Sequence, residues 1–116
     1  GPDHLAEGRL ALRQEQYGEA LHHFRQLLDE QPNHAWAHHG RGDTLLMMGE
    51  AAAALIAYQN AASMRPDEGI HHAGIANAMQ SLGQVAEANV KWAKALALDP
   101  SLTWMRDGQP PPDRVG

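Results

Sequence analysis

The chain has 116 residues, of which 43% are hydrophobic and 20% are charged, a composition that fits one globular domain. It contains no cysteine, which excludes disulfide bonds, thiolate metal sites and thiol nucleophiles. The net charge is −5 and the two lysines, Lys91 and Lys94, are close together, so the sequence offers no basic surface for nucleic acid or for a membrane.

The chain begins with Gly1 and Pro2, which are typical of what a protease leaves behind when it removes an expression tag, and we assign residues 1–2 to such a remnant. The following residues lack the basic and then apolar order of a signal peptide. No apolar run approaches the roughly 18 residues of a membrane-spanning helix. We therefore expect a soluble protein, and the lack of cysteine is compatible with the cytoplasm.

From residue 3 onward the sequence repeats with a period of 34 residues. Pro32, Pro66 and Pro100 are spaced at this interval. The same interval separates alanines, aromatic residues and histidines: Ala20, Ala54 and Ala88; Phe24, Tyr58 and Trp92; His4, His38 and His72. Agreement of several residue types on one period predicts a repeat protein.

Apolar residues within each unit have helical spacing with one break, which predicts two helices per unit. The predicted helices are 3–15, 18–30, 35–48, 51–64, 68–82 and 85–98. Each proline stops a second helix, and the polar residues after the prolines, Asn33, Asp67 and Ser101, suit a helix start. Gly49 and Gly83 end first helices in a left-handed turn, where the first unit has Glu15.

Small residues recur where helices have to approach closely, at Gly8, Gly42 and Ala76, and large aromatic residues recur to fill the space between units. This pattern resembles the tetratricopeptide repeat family. The resemblance implies an all-α fold, a right-handed superhelical array of three helix-turn-helix units with six helices. We place this domain at residues 3–107, with repeats 3–34, 35–68 and 69–102.

Two features depart from the family pattern. Before the first-helix glycine, where the family has a large apolar residue, the chain has Glu7 and Arg41, and these charges either reach solvent or meet at an interface. The further helix that normally covers the last repeat is missing. We expect a short C-terminal stub with Leu102, Trp104 and Met105 in its place, and an extended Pro-rich tail or linker at residues 108–116.

In the resembling family the first helix of each unit lines a concave groove, which implies a protein–protein interaction module. Helical spacing predicts the groove residues, which are Leu5, Arg9, Leu12 and Arg13, then Trp36, His39, Asp43, Leu46 and Met47, then Ile70, Ala73, Asn77, Gln80 and Ser81. Apolar side chains flanked by arginines favour an amphipathic, partly acidic peptide or protein segment as the partner. The alternative for each of these residues is an ordinary role in covering helices or in a solvated face.

A more specific family function does not fit. Members that hold the C-terminal carboxylates of heat-shock proteins use a clamp of lysine, asparagine and arginine. The matching positions here are Leu5, Arg9, Gly40, Ile70 and Gly74, and only Arg9 supplies a charge. The alternative to groove binding is a structural module that forms homo-oligomers through uncovered terminal faces.

The eight histidines suggest a metal site, and His34 and His38 have the i,i+4 spacing of two ligands on one helix. The histidines that recur with the repeat, however, are explained by packing within each unit and lie too far apart to share an ion. We therefore expect no metal and no cofactor, although His39 is a candidate for a pH response of the groove. No combination of nucleophile, base and phosphate loop is recognisable, so we predict no enzyme.

Overall fold

The computed structural model describes residues 3–112, so the predicted tag remnant and the end of the predicted tail lie outside the described residues. Six long helices follow one another: α1 His4–Arg13, α2 Tyr17–Glu30, α3 Ala35–Met47, α4 Ala51–Met64, α5 Gly69–Ser81 and α6 Val85–Leu98. Consecutive helices pack together all along the chain. The predicted all-α array of three helix-turn-helix units is confirmed. None of the helices in this part of the chain is long and apolar enough to cross a membrane.

The ends of the helices have the local causes that the sequence predicts. The residues before the three prolines leave the helical region, with φ/ψ of −135°/82° at Gln31, −134°/70° at Arg65 and −147°/92° at Asp99. Proline disfavours the helical conformation of the preceding residue. The second helix of each unit therefore ends two residues before its proline.

The start of the next unit differs from the prediction by one residue. The residues that cap α3 and α5 are His34 and Glu68, rather than the preceding Asn33 and Asp67. The His34 ring accepts a hydrogen bond from the Ala37 amide at 3.2 Å, so an imidazole nitrogen takes the role that a short polar side chain usually has.

Two of the aromatic residues at the 34-residue period, Phe24 and Tyr58, are buried between neighbouring units, as predicted, whereas Trp92 is buried in the third repeat. A Cβ atom placed on Gly8 or on Gly40 lies 2.7 Å or 2.5 Å from the Phe24 ring, so this ring lies against both backbones. Tyr58 repeats the arrangement one unit later, with Gly42 and Gly74. Each ring thus joins two repeats. The second glycine of each pair was not identified from the sequence as part of this packing.

Buried apolar residues form two clusters of unequal size. The smaller contains Ala11, Ala20 and Phe24 in the first repeat. The larger runs through the second and third repeats, from Ala54 and Tyr58 to Trp92. A 3₁₀ turn, Pro100–Leu102, and a short helix, α7 Thr103–Arg106, follow α6. Leu102 is buried in the larger cluster and Met105 packs against it, so the predicted C-terminal stub covers part of the last repeat.

Candidate functional site: the groove of the first helices

The first helices of the three units lie side by side, because α1 contacts α3 and α3 contacts α5. This row of helices is the candidate groove. Most of the predicted groove residues are exposed or half-buried there. Two are buried: His39 is 5% exposed and Ala73 is 0% exposed. Ala73 therefore lies beneath the surface that the helical spacing assigned it to, in the larger cluster of buried apolar residues.

Trp36 is at the centre of the groove and contacts all three repeats. The guanidinium carbon of Arg9, on α1, lies 5.1 Å from the centroid of the indole ring, a cation–π arrangement. The rings of His39 and His71 meet the indole edge to face, with centroid distances of 5.3 Å and 5.2 Å. One half-buried aromatic side chain thus holds Arg9 at the groove surface and covers two buried imidazoles.

The two imidazoles form a hydrogen-bonded pair between the second and third repeats. The Nδ1 atoms of His39 and His71 are 3.0 Å apart. Nε2 of His71 donates to the Glu68 carboxylate at 2.8 Å, so Nδ1 of a neutral His71 has no proton and accepts from Nδ1 of His39. Nε2 of His39 faces a carboxylate oxygen of Asp43 at 3.5 Å.

Burial decides the protonation of this pair. It lowers the pKa of His39 and of His71, because the charged imidazolium loses hydration there, although Asp43 and Glu68 act in the opposite direction. The Tyr58 hydroxyl donates to the other oxygen of Asp43 at 2.5 Å. Burial and the Asp43 charge raise the pKa of Tyr58, so the phenol remains protonated. The two imidazoles are therefore uncharged, and the carboxylates beside them, Asp43 and Glu68, lie at the edge of the pair.

A cavity of about 610 Å³ adjoins Trp36 on the side of the third repeat. It is lined by Trp36, Asp67, Glu68, Gly69, Ile70, Leu98, Asp99, Ser101, Leu102, Trp104, Pro111 and Pro112. Two of these, Trp36 and Ile70, are predicted groove residues. The others come from the turn before α5 and its first residue, from the end of α6, from the stub and from the described part of the tail. The groove is therefore cationic near α1 and both apolar and acidic near the third repeat.

The remaining predicted residues lie around this centre. Leu5 and Leu12 pack on the smaller cluster of buried residues, and Leu46 and Ile70 pack on the larger. Four are exposed, namely Arg13, Met47, Gln80 and Ser81, whereas Asn77 is half-buried. These residues share the row of first helices, but only Arg9, Trp36, His39 and Asp43 are joined by the contacts given above.

Sequence reasoning missed His71, Glu68 and Tyr58 as members of this site. His71 follows His39 by 32 residues, so a search at the 34-residue period does not pair them. The residues that do match them by period are Ala37 for His71 and Ala73 for His39, and both are fully buried. One repeat thus has a buried histidine where another has a buried alanine. That substitution pattern was the available signal.

The histidines that do follow the period have the packing role predicted for them in two repeats. Nε2 of His38 donates to the Pro32 carbonyl at 2.8 Å, and Nε2 of His72 donates to the Pro66 carbonyl at 3.0 Å. Each ring thus bonds to the turn that precedes its own unit. His4 differs, because Nδ1 of its ring lies 3.1 Å from Nδ1 of His23.

Comparison with known proteins agrees with this architecture. Residues 5–69 match the tetratricopeptide repeat family. The chain belongs to this family. Family and fold are those of protein–protein interaction modules, which are typically not catalytic. A search of curated proteins gave no match.

Solved structures with the same fold have low sequence identity. The O-GlcNAc transferase of Thermobaculum terrenum superposes with a TM-score of 0.86 at 22% identity, over 90% of this chain and 20% of the transferase. The first tetratricopeptide domain of Spaghetti (RPAP3), bound to the HSP90 peptide SRMEEVD, gives 0.85 at 17% identity, over 90% of this chain and 85% of that domain. MamA from MSR-1 gives 0.73 at 25% identity, over 80% of this chain and 53% of MamA. The chain thus spans a fifth of the transferase and about half of MamA.

Proposed function

We propose that the chain binds a peptide or protein segment in the groove of its first helices, and that the segment is amphipathic and partly acidic. The observation that carries the proposal is the stacking of Arg9 on Trp36 beside a cavity of about 610 Å³. The indole holds the guanidinium at the surface, where its N–H groups are available to a carboxylate of the partner. An apolar side chain of the same partner fits the cavity against Trp36 and Ile70.

The charge distribution gives the bound segment a direction. Arg9 and Arg13 are exposed on α1, whereas Asp67 and Glu68 lie at the cavity. We expect the acidic part of the segment over α1 and its apolar part at the third repeat, because acidic residues in the cavity repel another carboxylate.

The fold neighbour bound to an HSP90 peptide supports peptide binding by such an array. The details have to differ in this chain. At the two clamp positions occupied by Gly40 and Gly74, an added Cβ atom meets an aromatic ring at 2.5 Å, so no side chain extends into the groove from them. Arg9 is left as the one cation among the clamp positions. A partner recognised through one carboxylate and an apolar anchor fits better than a carboxyl terminus held by several cations.

The test uses peptides selected from a random peptide library on the immobilised 116-residue chain. Isothermal titration of a selected acidic peptide with the Trp36→Ala and Arg9→Glu variants should show at least about a tenfold loss of affinity in each, as for residues at the centre of an interface. Arg25→Glu on α2 is the matched control, since it makes the same charge change at an exposed position outside the first helices. Circular dichroism checks that each variant is folded.

Equal weakening of peptide binding by Arg9→Glu and Arg25→Glu would show that only net charge matters. Unchanged affinity in Trp36→Ala would contradict binding in the groove.

The alternative function is self-association through the last full helix. Val85 and Val90 on α6 are 54% and 67% exposed, which favours a contact there. Sedimentation at several concentrations tests it, because a dimer that Val90→Glu dissociates supports self-association and a monomer throughout rejects it.

A further inference from the structure

Three potential metal ligands converge on the first repeat, away from the Trp36 centre. His4 is the first residue of α1, Glu7 lies one turn later, and His23 faces them from α2. Nδ1 of His23 is 3.1 Å from Nδ1 of His4 and 3.2 Å from a carboxylate oxygen of Glu7. All three ligand atoms lie within 4.8 Å of one another. We propose that His4, Glu7 and His23 form a binding site for a first-row divalent metal ion, with zinc as the ion it takes.

The short contacts that Nδ1 of His23 makes with His4 and Glu7 favour a positive charge between these three side chains. Nδ1 of a neutral imidazole carries either one proton or one lone pair, and a carboxylate only accepts hydrogen bonds. Two acceptor-capable atoms approach Nδ1 of His23, and one proton satisfies one of these short contacts well. A cation between the three atoms accepts a lone pair from each of them and relieves both contacts.

The distances agree with zinc. Zinc binds imidazole nitrogen and carboxylate oxygen at about 2.0–2.2 Å, so two ligand atoms in a tetrahedral site are about 3.3–3.6 Å apart. Two of the three separations, 3.1 Å and 3.2 Å, are slightly shorter than this range, and the third, between His4 and Glu7, is within 4.8 Å. Two nitrogens and one oxygen favour zinc or a similar transition metal over calcium and magnesium, which prefer oxygen ligands alone.

The site is open to an ion from solution. The side chains of Glu7 and His23 are 47% and 23% exposed. Water therefore reaches the fourth position, and the set of two histidines, one glutamate and one water is a recognised zinc coordination. Spacing along the sequence did not suggest this site, because its histidines belong to different helices of the same repeat and are 19 residues apart.

Bound zinc joins α1 to α2 in the repeat that has the smaller buried cluster. An ion that binds the folded chain better than the unfolded chain stabilises the fold by mass action. We expect zinc to raise the thermal midpoint of the protein. This expectation is independent of the proposed peptide groove.

The experiment is a zinc titration of the 116-residue chain after removal of metal with a chelator, followed by calorimetry. One zinc per chain should bind, and His23→Ala and Glu7→Gln should each weaken binding at least tenfold. Glu7→Gln preserves side-chain shape, so a loss of folding does not explain its effect. His22→Ala is the matched control, because His22 is an exposed histidine next to His23 that is not one of the three ligands.

Thermal unfolding with and without zinc gives the second readout. At the same zinc concentration, the wild-type chain and His22→Ala should show the same upward shift of the midpoint, whereas His23→Ala should show a clearly smaller one. The proposal is overturned if no stoichiometric binding occurs, or if His22→Ala loses zinc as strongly as His23→Ala, since binding then arises from surface histidines in general.

Discussion

We call the interface between the first and second repeats the first joint, and the interface between the second and third repeats the second joint. The two have the same steric arrangement but different chemistry. Phe24 lies against Gly8 and Gly40 with no polar atom on its ring. Tyr58 lies against Gly42 and Gly74, and its hydroxyl donates to Asp43, which also faces the buried pair of His39 and His71. The steric arrangement is therefore shared, whereas the ring at the second joint also carries a hydroxyl that links it to Asp43 beside the histidine pair.

The packing of a ring between two glycines holds neighbouring repeats together at both joints. The hydroxyl bond to Asp43 at the second joint instead connects the packing to the groove. A ring between two glycines needs only close approach of two backbones, so it works with either phenylalanine or tyrosine. The hydroxyl adds a bond to the groove network. Tyr58 is thereby linked to Asp43 at the groove, a link that Phe24 does not have.

Removal of the aromatic rings should have the largest effect. Phe24→Ala and Tyr58→Ala should each reduce the free energy of unfolding by about 3–5 kcal/mol, because each leaves a cavity between two helices. Hydrogen exchange should distinguish them. Phe24 belongs to the smaller cluster, so its loss should expose α1 and α2 and leave α5 and α6 protected. Tyr58→Ala should remove protection from both sides of the second joint. The same loss of protection in both variants would contradict the separation of the two joints.

Added methyl groups at the glycines should have the next largest effect. Gly40→Ala and Gly74→Ala both place a Cβ atom 2.5 Å from a ring carbon, so overpacking should cost about 1–3 kcal/mol in each, measured by urea unfolding. Gly18→Ala is the control within α2, since nothing lies within 4 Å of its added Cβ atom, and it should stabilise the helix by about 0.5–1 kcal/mol. A clearly smaller cost at Gly74 than at Gly40 would show that the two joints differ sterically as well.

The pH dependence of stability should come from the second joint. The folded-state pKa of His39 and of His71 lies below the ordinary value of 6.5, so the unfolded chain binds more protons as the pH falls. Their contribution is fully present well above pH 6.5 and is lost as the pH decreases through 6.5 toward the lowered values. Arg9 also lowers the pKa of His39, whereas Asp43 and Glu68 raise the pKa of both histidines and so oppose the effect of burial.

The measurement is urea unfolding between pH 8 and pH 5. The double variant His39→Gln and His71→Gln should have a flatter profile than the wild-type chain, whatever its absolute stability. His22→Gln, at an exposed position, should retain the wild-type slope. An unchanged slope in the double variant would place the pH response elsewhere.

The sequence predicted what depends on local pattern and missed what depends on contact between units. The 34-residue period gave the helices, the aromatic joints and the turns at Gly49 and Gly83, because these follow from residue type at fixed positions. The pair of His39 and His71 joins residues whose period-matched counterparts are alanines, so repetition alone hides it. Exposure at the groove was also only partly predictable, since Ala73 belongs to the buried core and not to the surface that helical spacing assigned it to.

The smallest expected effect concerns the turn between α1 and α2. Glu15 has φ of 60° where the later repeats have Gly49 and Gly83 at 82° and 80°. A left-handed conformation costs a residue with a side chain about 1–2 kcal/mol, and glycine avoids this cost but loses more entropy on folding. Glu15→Gly should therefore raise the free energy of unfolding by about 0.5–1 kcal/mol, measured as a higher urea midpoint.

The first repeat should gain most from that substitution, because its helices share the smaller buried cluster and the strained turn joins them directly. Gly49→Glu is the reciprocal variant and should destabilise the second repeat by a similar amount. If Glu15→Gly lowers stability, the Glu15 side chain makes an interaction that outweighs its backbone strain. If it raises stability while exchange protection increases in α1 and α2 alone, the first repeat is energetically separable from the two that share the histidine network.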